Sequence, residues 1–571
     1  MSSPLFRKKS IEKILHDATT NDESVHGGGT HLKRVLGVWD LTFLGIAAIV
    51  GAGSFSSLGE AVFKGGPGVI YLFIICGIAC GFTALCYAEF ASRIPVAGSA
   101  YTYAYASFGE LFAWIIGWAL IMEYSIGNIY VAFSWSDYFT SFLHRLGVHL
   151  PDYLATSYAE AKNAFLSHSA NTESVNAWKT APLLGGLRII FDLPALLINI
   201  GITALVYVGV KESKNFTNLM VLLKLITIVM VICVGAYFID PGNWNPVNDQ
   251  GVHSFMPNGF SGVMAAVSSV FFAYIGFDAI SVMAEESKNP QRDLPRSMIY
   301  SLIICTIIYI LLTLVLTGVV NYKLFEGVGD PLAKIFELQG IHWMQLVVSF
   351  AAIVAMSSVL LVFQMGQPRI WMSMGRDGLL PKQFERIHKK YQTPSFSTII
   401  TGLLVGVPIL FTDKVFILDF TSIATLFAFV LVCGGVLLIP RREKEPGKFN
   451  LPFIPSKFLF PLIVLAGIVF AVSLDKNYFS NLFQIDSTNA SLHISTIVFW
   501  ILMIILSVIT FIKNFSLIPL MGLSSCSYLL TGMTGENWAW FCGWLILGLI
   551  FYFSFGYKKS KLRKELNSNK L

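Results

Sequence analysis

The sequence predicts an all-α membrane protein with about 14 transmembrane helices, ten of which form two inverted five-helix units. Three observations lead to this fold class. Apolar runs close to 20 residues, the length that crosses about 30 Å of hydrocarbon, recur along the chain. Only 13% of the 571 residues are charged, and the mean hydropathy is +0.66. Two of the apolar runs are interrupted by glycine, at positions that lie five spans apart.

The predicted spans follow one another closely, and their even number places both termini on the same side of the bilayer. The spans cover residues 38–62, 67–91, 109–143, 189–210, 217–239, 259–285, 297–320, 341–369, 395–411, 418–440, 457–474, 494–513, 515–533 and 538–557. The chain therefore divides into an N-terminal tail (1–35), a ten-helix inverted-repeat core (36–440), four additional helices (441–557) and a basic tail (558–571).

The distribution of basic residues predicts the orientation. Of the 40 Lys and Arg residues, 30 lie in the termini and in the loops on their side, and nine lie in the opposite loops. Basic loops stay in the cytoplasm under the positive-inside rule. Residues 1–35 are polar and basic with no short apolar region, so no signal peptide is indicated. We expect a multi-pass protein of the plasma membrane with both termini in the cytoplasm.

The first span is a helix that its own sequence interrupts. Gly51-Ala52-Gly53 follows an apolar run, and each glycine lowers helix propensity by about 1 kcal/mol. Inside a bilayer, the amides freed by such a break point at whatever lies in front of them, with the positive end of a helix dipole behind them. That arrangement suits a carboxylate. The alternative is that these small residues only allow neighbouring helices to pack closely.

The sixth predicted span carries a second interruption. Its segment Phe271–Asp278 is apolar, contains Gly276 and ends in an acid. Because five spans separate the two interruptions, the second helix runs in the opposite direction to the first. Paired broken helices in inverted repeats are typical of transporters that bind substrate near the bilayer midplane. The pair therefore favours substrate binding at Gly51–Gly53 over packing alone.

One lysine lies at a depth where lysine is unfavourable. Lys224 falls within the fifth span, and a lysine at the bilayer centre costs about 2.5–3.5 kcal/mol on insertion scales. It lies about 10 Å into the span, so one interpretation is that its long stem carries the ammonium group back to the cytoplasmic edge. The other is a buried amine. Burial disfavours the protonated form, so such a group can take up and release a proton during a transport cycle.

Glu123 is the acid at a matching depth, near the middle of the third span. Carboxylates within membranes usually face a cavity or a partner. Glu123 is therefore a candidate to line a substrate pocket, to pair with Lys224, or both. Because Lys224 is a suitable partner for a desolvated carboxylate, we expect the pairing and a small neutral substrate. The acids and bases nearer the cytoplasmic ends are interpreted as gate or loop ion pairs: Glu89, Arg93, Asp278, Glu285 and Glu286.

The sequence carries no signal of enzyme chemistry. Hydrolase and nucleotide-binding patterns are absent, and Gly27–Gly29 belongs to a basic tail, not to a phosphate-binding loop after a strand. All eight cysteines lie in apolar segments, and none shows metal-ligand spacing. We therefore expect no catalytic residue, no metal, no cofactor and no nucleic-acid partner. The lipid bilayer is the large partner that the composition indicates.

Several motifs occur in order along the chain. They are Cys86–Pro95, Gly98–Tyr101, Gly109–Leu111, Phe271–Asp278, Glu285–Pro290, Pro368–Ile370 and Arg376–Pro381. As a set they resemble the amino acid–polyamine–organocation (APC) superfamily, and within it the bacterial members of the cationic amino acid transporter family. The resemblance covers about residues 33–557, including four helices beyond a ten-helix core.

The resemblance implies a LeuT-like fold with an amino acid held between the two broken helices. Backbone amides would bind the carboxylate of the substrate, and unwound carbonyls would bind its ammonium group. The implied residues are Gly51, Ala52 and Gly53 for the carboxylate, and Phe272, Ala273 and Ile275 for the ammonium group. Lys224 matches the span-five lysine that replaces a sodium ion in bacterial relatives, which implies proton coupling.

Two residues depart from the pattern of the family. Ala52 stands where many relatives carry a hydroxyl residue, and Ser54 stands where a bulky aliphatic residue is common. In span eight, Met356 and Ser357 are expected near the side-chain end of the pocket.

Together the residues and the resemblance predict a secondary active transporter that moves L-amino acids across the plasma membrane by alternating access, with protons in symport. An amino acid and protons are its expected small partners, and no protein subunit is identified. An ion-independent amino acid exchanger and a polyamine carrier are the alternatives within transport. The alternative from another class is a membrane sensor for amino acids, although the sequence has no sizeable soluble output domain.

Overall fold

The computed structural model describes residues 6–14, 36–96, 99–167, 172–209, 214–247, 251–391, 393–440, 448–474, 476–484 and 490–568. Within these ranges the regular structure is helical, apart from isolated bridges and one antiparallel ladder that pairs Leu183–Leu184 with Leu187–Arg188. The prediction of an all-α protein is confirmed for this part of the chain.

The helices fall into two groups around the second interruption. Up to that point they are α1 (Val38–Ile49), α2 (Leu58–Gly65), α3 (Val69–Arg93), α4 (Ser99–Ser107), α5 (Glu110–Arg145), α6 (Tyr158–Leu166), α7 (Thr172–Thr180), α8 (Leu193–Val208), α9 (Lys214–Tyr237), α10 (Gly259–Ala265) and α11 (Val267–Phe272). After it they are α12 (Pro290–Val319), α13 (Pro331–Leu338), α14 (His342–Arg376), α15 (Ser395–Ile409), α16 (Lys414–Leu438), α17 (Leu459–Leu474), α18 (Tyr478–Leu482), α19 (Ala490–Lys513), α20 (Leu517–Thr531), α21 (Gly535–Phe551), α22 (Tyr557–Lys559) and α23 (Lys561–Ser568).

Many of these helices have the length and composition of membrane spans. In the described ranges, nine helical segments have at least 18 residues and are apolar enough to cross a membrane. Five shorter apolar helices have 10–17 residues: Val38–Ile49, Leu193–Val208, Ser395–Ile409, Leu459–Ser473 and Leu517–Thr531. Each predicted span overlaps at least one of these segments. The chain is therefore a multi-pass membrane protein.

The first interruption lies where its glycines predict it. Helix α1 ends at Ile49 because Val50 adopts an extended conformation, with φ −82° and ψ 93°. A π-helical turn, Gly53–Ser57, then leads into α2. In this turn the amides of Ser54 and Phe55 both donate to the carbonyl of Gly51, at 3.1 and 3.0 Å. The backbone is open between Val50 and Gly53.

The second interruption follows α11 and depends on one glycine. Gly276 has a φ of +115°, in the left-handed region, and a 3-10 helix (Phe277–Glu286) begins directly after it. A Cβ at Gly276 would come within 3.0 Å of the Ala48 backbone in α1. Both the dihedral angle and this close approach require the residue without a side chain.

The two ends of the bundle differ, and we name them by what they carry. The loop face carries residues 146–167 and 172–192, with α6, α7 and the two-stranded ladder. At the tail face, residues 6–14 meet α22 and α23. There the Lys9 ammonium group lies 3.0 Å from the Asp377 carboxylate, and the Lys561 amide donates to the Asp377 carbonyl. Helix α5 runs from the tail face, at Glu110, to the loop face.

Candidate substrate site

The two broken helices cross in antiparallel directions at their interruptions. A Cβ at Gly53 would lie only 2.5 Å from the Cα of Ala273, so the two backbones touch. Four residues further along the first helix, the Ser57 hydroxyl donates to the carbonyl of Ser269 at 3.0 Å. The residue numbers of the contacts rise along one helix and fall along the other, so the two helices are antiparallel here. Their opposite direction, predicted from their spacing of five spans, is confirmed at this crossing.

The first interruption presents hydrogen-bond donors. Among the described residues, the amides of Gly51, Ala52 and Gly53 donate to no acceptor. Unpaired buried amides are rare in folded proteins, and at the start of a helical segment they carry the positive end of the backbone dipole. These three groups are therefore suited to bind an anion such as a carboxylate.

The second interruption presents acceptors. The carbonyls of Ala273 and Ile275 accept no hydrogen bond within the described part of the chain. The carbonyl of Phe272 is different, because it accepts the amide of Ile275 at 3.2 Å. Two of the three predicted carbonyls are thus open to a cation, while the third holds the turn together.

A small cavity lies beside the crossing. Its lining comes from both broken helices and from α5 and α14: Ala48, Ile49, Ala52, Gly53, Val131, Phe272, Ile275, Val359 and Phe363. Four of the predicted contact residues are among them. Two others lie directly behind the lining, since a Cβ at Gly51 would collide with Val359 and Ala273 touches Gly53. The cavity has polar backbone at one end and apolar side chains elsewhere.

The apolar wall is the part of the site that the sequence did not indicate. Helix α14 contributes Val359 and Phe363, not the expected Met356 and Ser357. The Ser357 hydroxyl instead accepts a hydrogen bond from the Trp135 indole at 2.9 Å. Which residues of α14 face the cavity depends on the rotation of the helix about its axis. The sequence of α14 does not reveal that rotation, because it has no polar stripe opposite an apolar face.

Lys224 of α9 is fully buried against the end of α1. Its ammonium group donates to the carbonyls of Ala47 and Val50, at 3.0 and 2.8 Å, and to the Ser358 hydroxyl at 3.1 Å. An ammonium group has three donors, and each has an acceptor here. The alternative in which the side chain extends to the membrane edge does not occur in this structure. Lys224 instead joins the first broken helix to α9 and α14.

Glu123 lies elsewhere, and its predicted pairing with Lys224 is not formed. It is 2% exposed, and its Oε2 atom has no hydrogen-bond partner among the described residues. It also does not line the cavity. Val131, which does, is eight residues further along α5, which corresponds to a rise of about 12 Å. Glu123 is therefore placed between the cavity and the tail face.

On the loop-face side, a cation and an aromatic ring close the cavity. The Lys414 ammonium group pairs with the Asp137 carboxylate and donates to the Ser56 hydroxyl, the latter at 2.7 Å. It also lies 5.4 Å from the centre of the Tyr130 ring. That ring packs edge-on against Phe272 of the cavity lining, with the centroids 4.5 Å apart. These contacts connect α5, α16 and the first broken helix.

On the tail-face side, polar contacts also close the path. The Lys288 amide donates to the Leu36 carbonyl at 2.9 Å, which ties the two broken helices together below the cavity. Arg93 pairs with Glu89 at 2.6 Å, as expected for a gate or loop ion pair. The side chains of Glu285 and Glu286 lie outside the described part of the structure.

The loop face contains a carboxyl group with a raised pKa. Glu160 of α6 is half-buried, and it accepts a hydrogen bond from the Ser174 hydroxyl at 3.1 Å. Burial, with the Asp137 charge, raises the pKa of Glu160 to about 7, although Lys414 and Ser174 act in the opposite direction. The folded form of this segment therefore keeps the proton on Glu160 up to a higher pH than the unfolded form does.

We expect the α6 segment to lose stability as the pH rises from about 4.5 to about 7, because there the unfolded segment releases a proton that the folded one keeps. Hydrogen exchange within Tyr158–Leu166, corrected for intrinsic rates, measures this loss. In Glu160→Gln the protection becomes independent of pH across this window. A wild-type segment with equal protection at both ends of the window contradicts the assignment.

Comparison with known proteins identifies the family. The model of the family described as "Amino acid permease" matches residues 36–506. The branched-chain amino acid permease BcaP of Bacillus subtilis is 39% identical, over 80% of this chain and 90% of its own length. The methylthioribose transporter of the same organism is 36% identical over 79% and 89%, and the vacuolar cationic amino acid transporter 4 of Arabidopsis thaliana is 36% identical over 76% and 67%. This chain belongs to the amino acid permease family of the APC superfamily, whose members are transporters and not enzymes.

Proposed function

We propose that this chain takes up an apolar L-amino acid across the plasma membrane by proton symport, through alternating access. The proposal includes fourteen membrane crossings, a LeuT-like 5+5 inverted-repeat core and cytoplasmic termini, so that the tail face is cytoplasmic and the loop face external. The observation that carries it is the cavity at the antiparallel crossing, with unpaired amides on one broken helix and unpaired carbonyls on the other.

The backbone chemistry of the crossing supports an amino acid as substrate. The amides of Gly51–Gly53 would hold the carboxylate, and the carbonyls of Ala273 and Ile275 would hold the ammonium group. Charge-assisted hydrogen bonds of this kind are stronger than neutral ones. A neutral thiosugar, the cargo named for one relative, has neither charge to offer these groups, and an amine without a carboxylate leaves the amides unpaired.

The walls of the cavity support an apolar side chain. Val131, Val359 and Phe363 are aliphatic or aromatic, and no charged residue lines the cavity among the described ones. Glu123, the acid that would attract a cationic side chain, is not part of the lining. Burying a charge against such walls is unfavourable, whereas each buried CH₂ contributes about 0.8 kcal/mol. The name of the relative BcaP, a branched-chain amino acid permease, points the same way.

We expect leucine, isoleucine and valine to compete for the uptake of labelled leucine, and arginine and lysine to leave it unchanged at equal concentrations. Burial of a branched aliphatic side chain against the apolar walls is favourable, whereas burial of a cationic side chain against them is not. Competition assays in proteoliposomes measure this order. Arginine that displaces leucine where alanine does not would reverse the assignment of substrate class.

The position of Lys224 supports proton coupling. Its protonated amine holds the carbonyls of Ala47 and Val50 and thereby fixes the end of α1. A neutral amine has one donor fewer, so loss of the proton weakens this tie and favours release of the substrate on the cytoplasmic side.

Uptake by the purified protein in liposomes tests the proposal against its alternatives. Accumulation of leucine under an inward proton gradient, with no effect of sodium, supports symport. Uptake that requires an amino acid inside the vesicles identifies an exchanger, and competition by spermidine identifies a polyamine carrier. Binding without uptake or exchange identifies a sensor and overturns the proposal.

A further inference from the structure

A buried guanidinium group lies at the tail face, apart from the substrate site. Arg7 is 8% exposed, and its Nη1 atom has no hydrogen-bond partner among the described residues. The amide of Glu110 donates to the Arg7 carbonyl at 2.9 Å, but the Glu110 carboxylate accepts its hydrogen bonds from the hydroxyl groups of Tyr105, Tyr552 and Ser560. A buried cation without a partner is unfavourable, so this position favours an anionic ligand.

A second arginine lies over the same aromatic ring. The Cζ atoms of Arg7 and Arg563 are 5.6 and 4.5 Å from the centre of the Tyr557 ring, and we call these two residues the arginine pair. Within the described part of the chain, the Arg563 guanidinium group makes one hydrogen bond, to the Tyr557 carbonyl at 3.0 Å. A guanidinium group has five N–H donors, so most of them remain available to a ligand or to water. An anion bound here also relieves the repulsion between the two charges.

The two chain segments that supply the arginine pair are both basic. They contain eight Lys and Arg residues within positions 7–9 and 558–564: Arg7, Lys8, Lys9, Lys558, Lys559, Lys561, Arg563 and Lys564. Two of the lysines face acids, since Lys9 pairs with Asp377 at 3.0 Å and Lys561 lies 3.9 Å from Glu385. Basic clusters directly beside a membrane span attract anionic lipid headgroups.

The arginine pair lies at the depth of such headgroups. Tyr557 is the third residue from the end of the apolar helical segment Gly535–Lys559, which is long enough to span a membrane. Before it in the same segment, Ile546, Ile550 and Phe553 are exposed by 58%, 62% and 46%. Their spacing of four, three and four residues places them with Tyr557 on one side of the helix, and the rings of Phe553 and Tyr557 are 6.3 Å apart. This lipid-facing side therefore ends at the arginine pair.

We propose that the arginine pair binds the phosphate group of an anionic phospholipid in the leaflet at the tail face, with an acyl chain along Ile546, Ile550 and Phe553. Guanidinium groups suit phosphate because their planar N–H donors match its oxygens. The apolar side of the helix favours a lipid over free phosphate, which has no part to place there. The site does not depend on transport, and it is the same whichever side of the membrane the tail face occupies.

A lipid bound at Arg7 also holds the N-terminal segment on the bundle. Two residues further on, the Lys9 amide donates to the Tyr105 carbonyl at 3.3 Å, and the Lys9 ammonium group pairs with Asp377 at the end of α14. We therefore expect the anionic lipid to slow hydrogen exchange within residues 6–14, relative to the protein in a zwitterionic lipid. Equal exchange of this segment in both lipids overturns the proposal.

Native mass spectrometry and thermal-shift titration of the full-length protein in detergent test the binding directly. We expect dioleoylphosphatidylglycerol to remain bound and to raise the melting temperature, and dioleoylphosphatidylcholine or inorganic phosphate at the same concentration to do neither. Arg7→Gln is expected to lower the affinity for the anionic lipid about tenfold, because a charge-assisted contact with the phosphate is lost. Inorganic phosphate that stabilises the protein as strongly as the anionic lipid identifies an anion site without lipid and overturns the proposal.

Arg563→Gln keeps the test valid if Arg7→Gln does not fold, because Arg563 is only partly buried. Arg188→Gln is the matched control. The Arg188 guanidinium group also lies over an aromatic ring, 5.1 Å from the centre of Trp178, and donates to the carbonyl of that residue at 2.6 Å, but it belongs to the loop face. We expect Arg563→Gln to weaken binding of the anionic lipid and Arg188→Gln to leave it unchanged.

Unchanged lipid affinity in Arg563→Gln, or an equal loss in Arg563→Gln and Arg188→Gln, refutes the lipid site. Neither measurement involves leucine, so such a result leaves the proposed function standing. Failure of leucine uptake by a protein that still binds the anionic lipid refutes the proposed function instead.

Discussion

Replacement of Lys224 by alanine is expected to abolish leucine accumulation driven by an inward proton gradient, down to the level of empty liposomes. The variant loses the group that binds the proton and all three hydrogen bonds that hold the end of α1. A tenfold difference in proton affinity between two states of the transport cycle corresponds to about 1.4 kcal/mol of coupling free energy. Removal of the amine leaves no such difference at this position. Uptake of labelled leucine with and without the gradient measures the loss.

Two further variants separate the proton from the side chain. In Lys224→Arg a permanent charge remains, so we expect substrate binding to persist and gradient-driven accumulation to fail. Lys323→Ala, a lysine on the loop-face side that lies outside the spans, is the matched control and retains accumulation. Sodium-dependent uptake, or a Lys224→Ala protein that still concentrates leucine under the proton gradient, refutes the assignment of Lys224.

Gly53→Val is expected to remove leucine binding while the protein remains folded and monodisperse. A Cβ at this position lies 2.5 Å from the Cα of Ala273, a backbone atom that cannot rotate away. The valine therefore forces the two broken helices apart at the crossing and occupies the space in front of the unpaired amides. Overpacking of this kind costs about 1–3 kcal/mol of stability. Thermal-shift titration with leucine measures both effects.

The matched control places the same valine where nothing opposes it. At Gly81 of α3, a Cβ meets no atom within 4 Å, so Gly81→Val keeps the affinity of the wild type. Gly53→Ala, with a smaller side chain at the crossing, is expected to give an intermediate affinity. Equal leucine affinity in Gly53→Val and the wild type would show that the substrate binds elsewhere.

The architecture was predictable from the sequence because its signals are strong and local. Apolar runs of bilayer length give the spans, and glycine within such runs marks where a helix opens. Burial of Lys224 was one of two interpretations of its position, because an ammonium group in a span needs either polar partners or a path to the membrane edge. Its partners could not be predicted from the sequence, because the carbonyls of Ala47 and Val50 are free to accept a hydrogen bond only where α1 ends.

The details of the site depend on helical phase, which an apolar sequence conceals. Val131 and Val359 are two valines among many, and only the packing of α5 and α14 turns them to the cavity. The same limitation affected Glu123. The sequence placed it at the depth of Lys224, and depth alone cannot show whether two side chains on different helices face each other.

The hydrogen bonds of Lys224 also impose an order on biosynthesis. The carbonyls of Ala47 and Val50 emerge from the ribosome 177 and 174 residues before the amine that satisfies them. At about 5–20 residues per second, the first span waits on the order of ten to thirty seconds in the membrane for its partner. Unpaired carbonyls are unfavourable in lipid, so the newly inserted segment is expected to persist as an unbroken helix during that time. The opening at Gly51 is then a late event, which follows the insertion of α9.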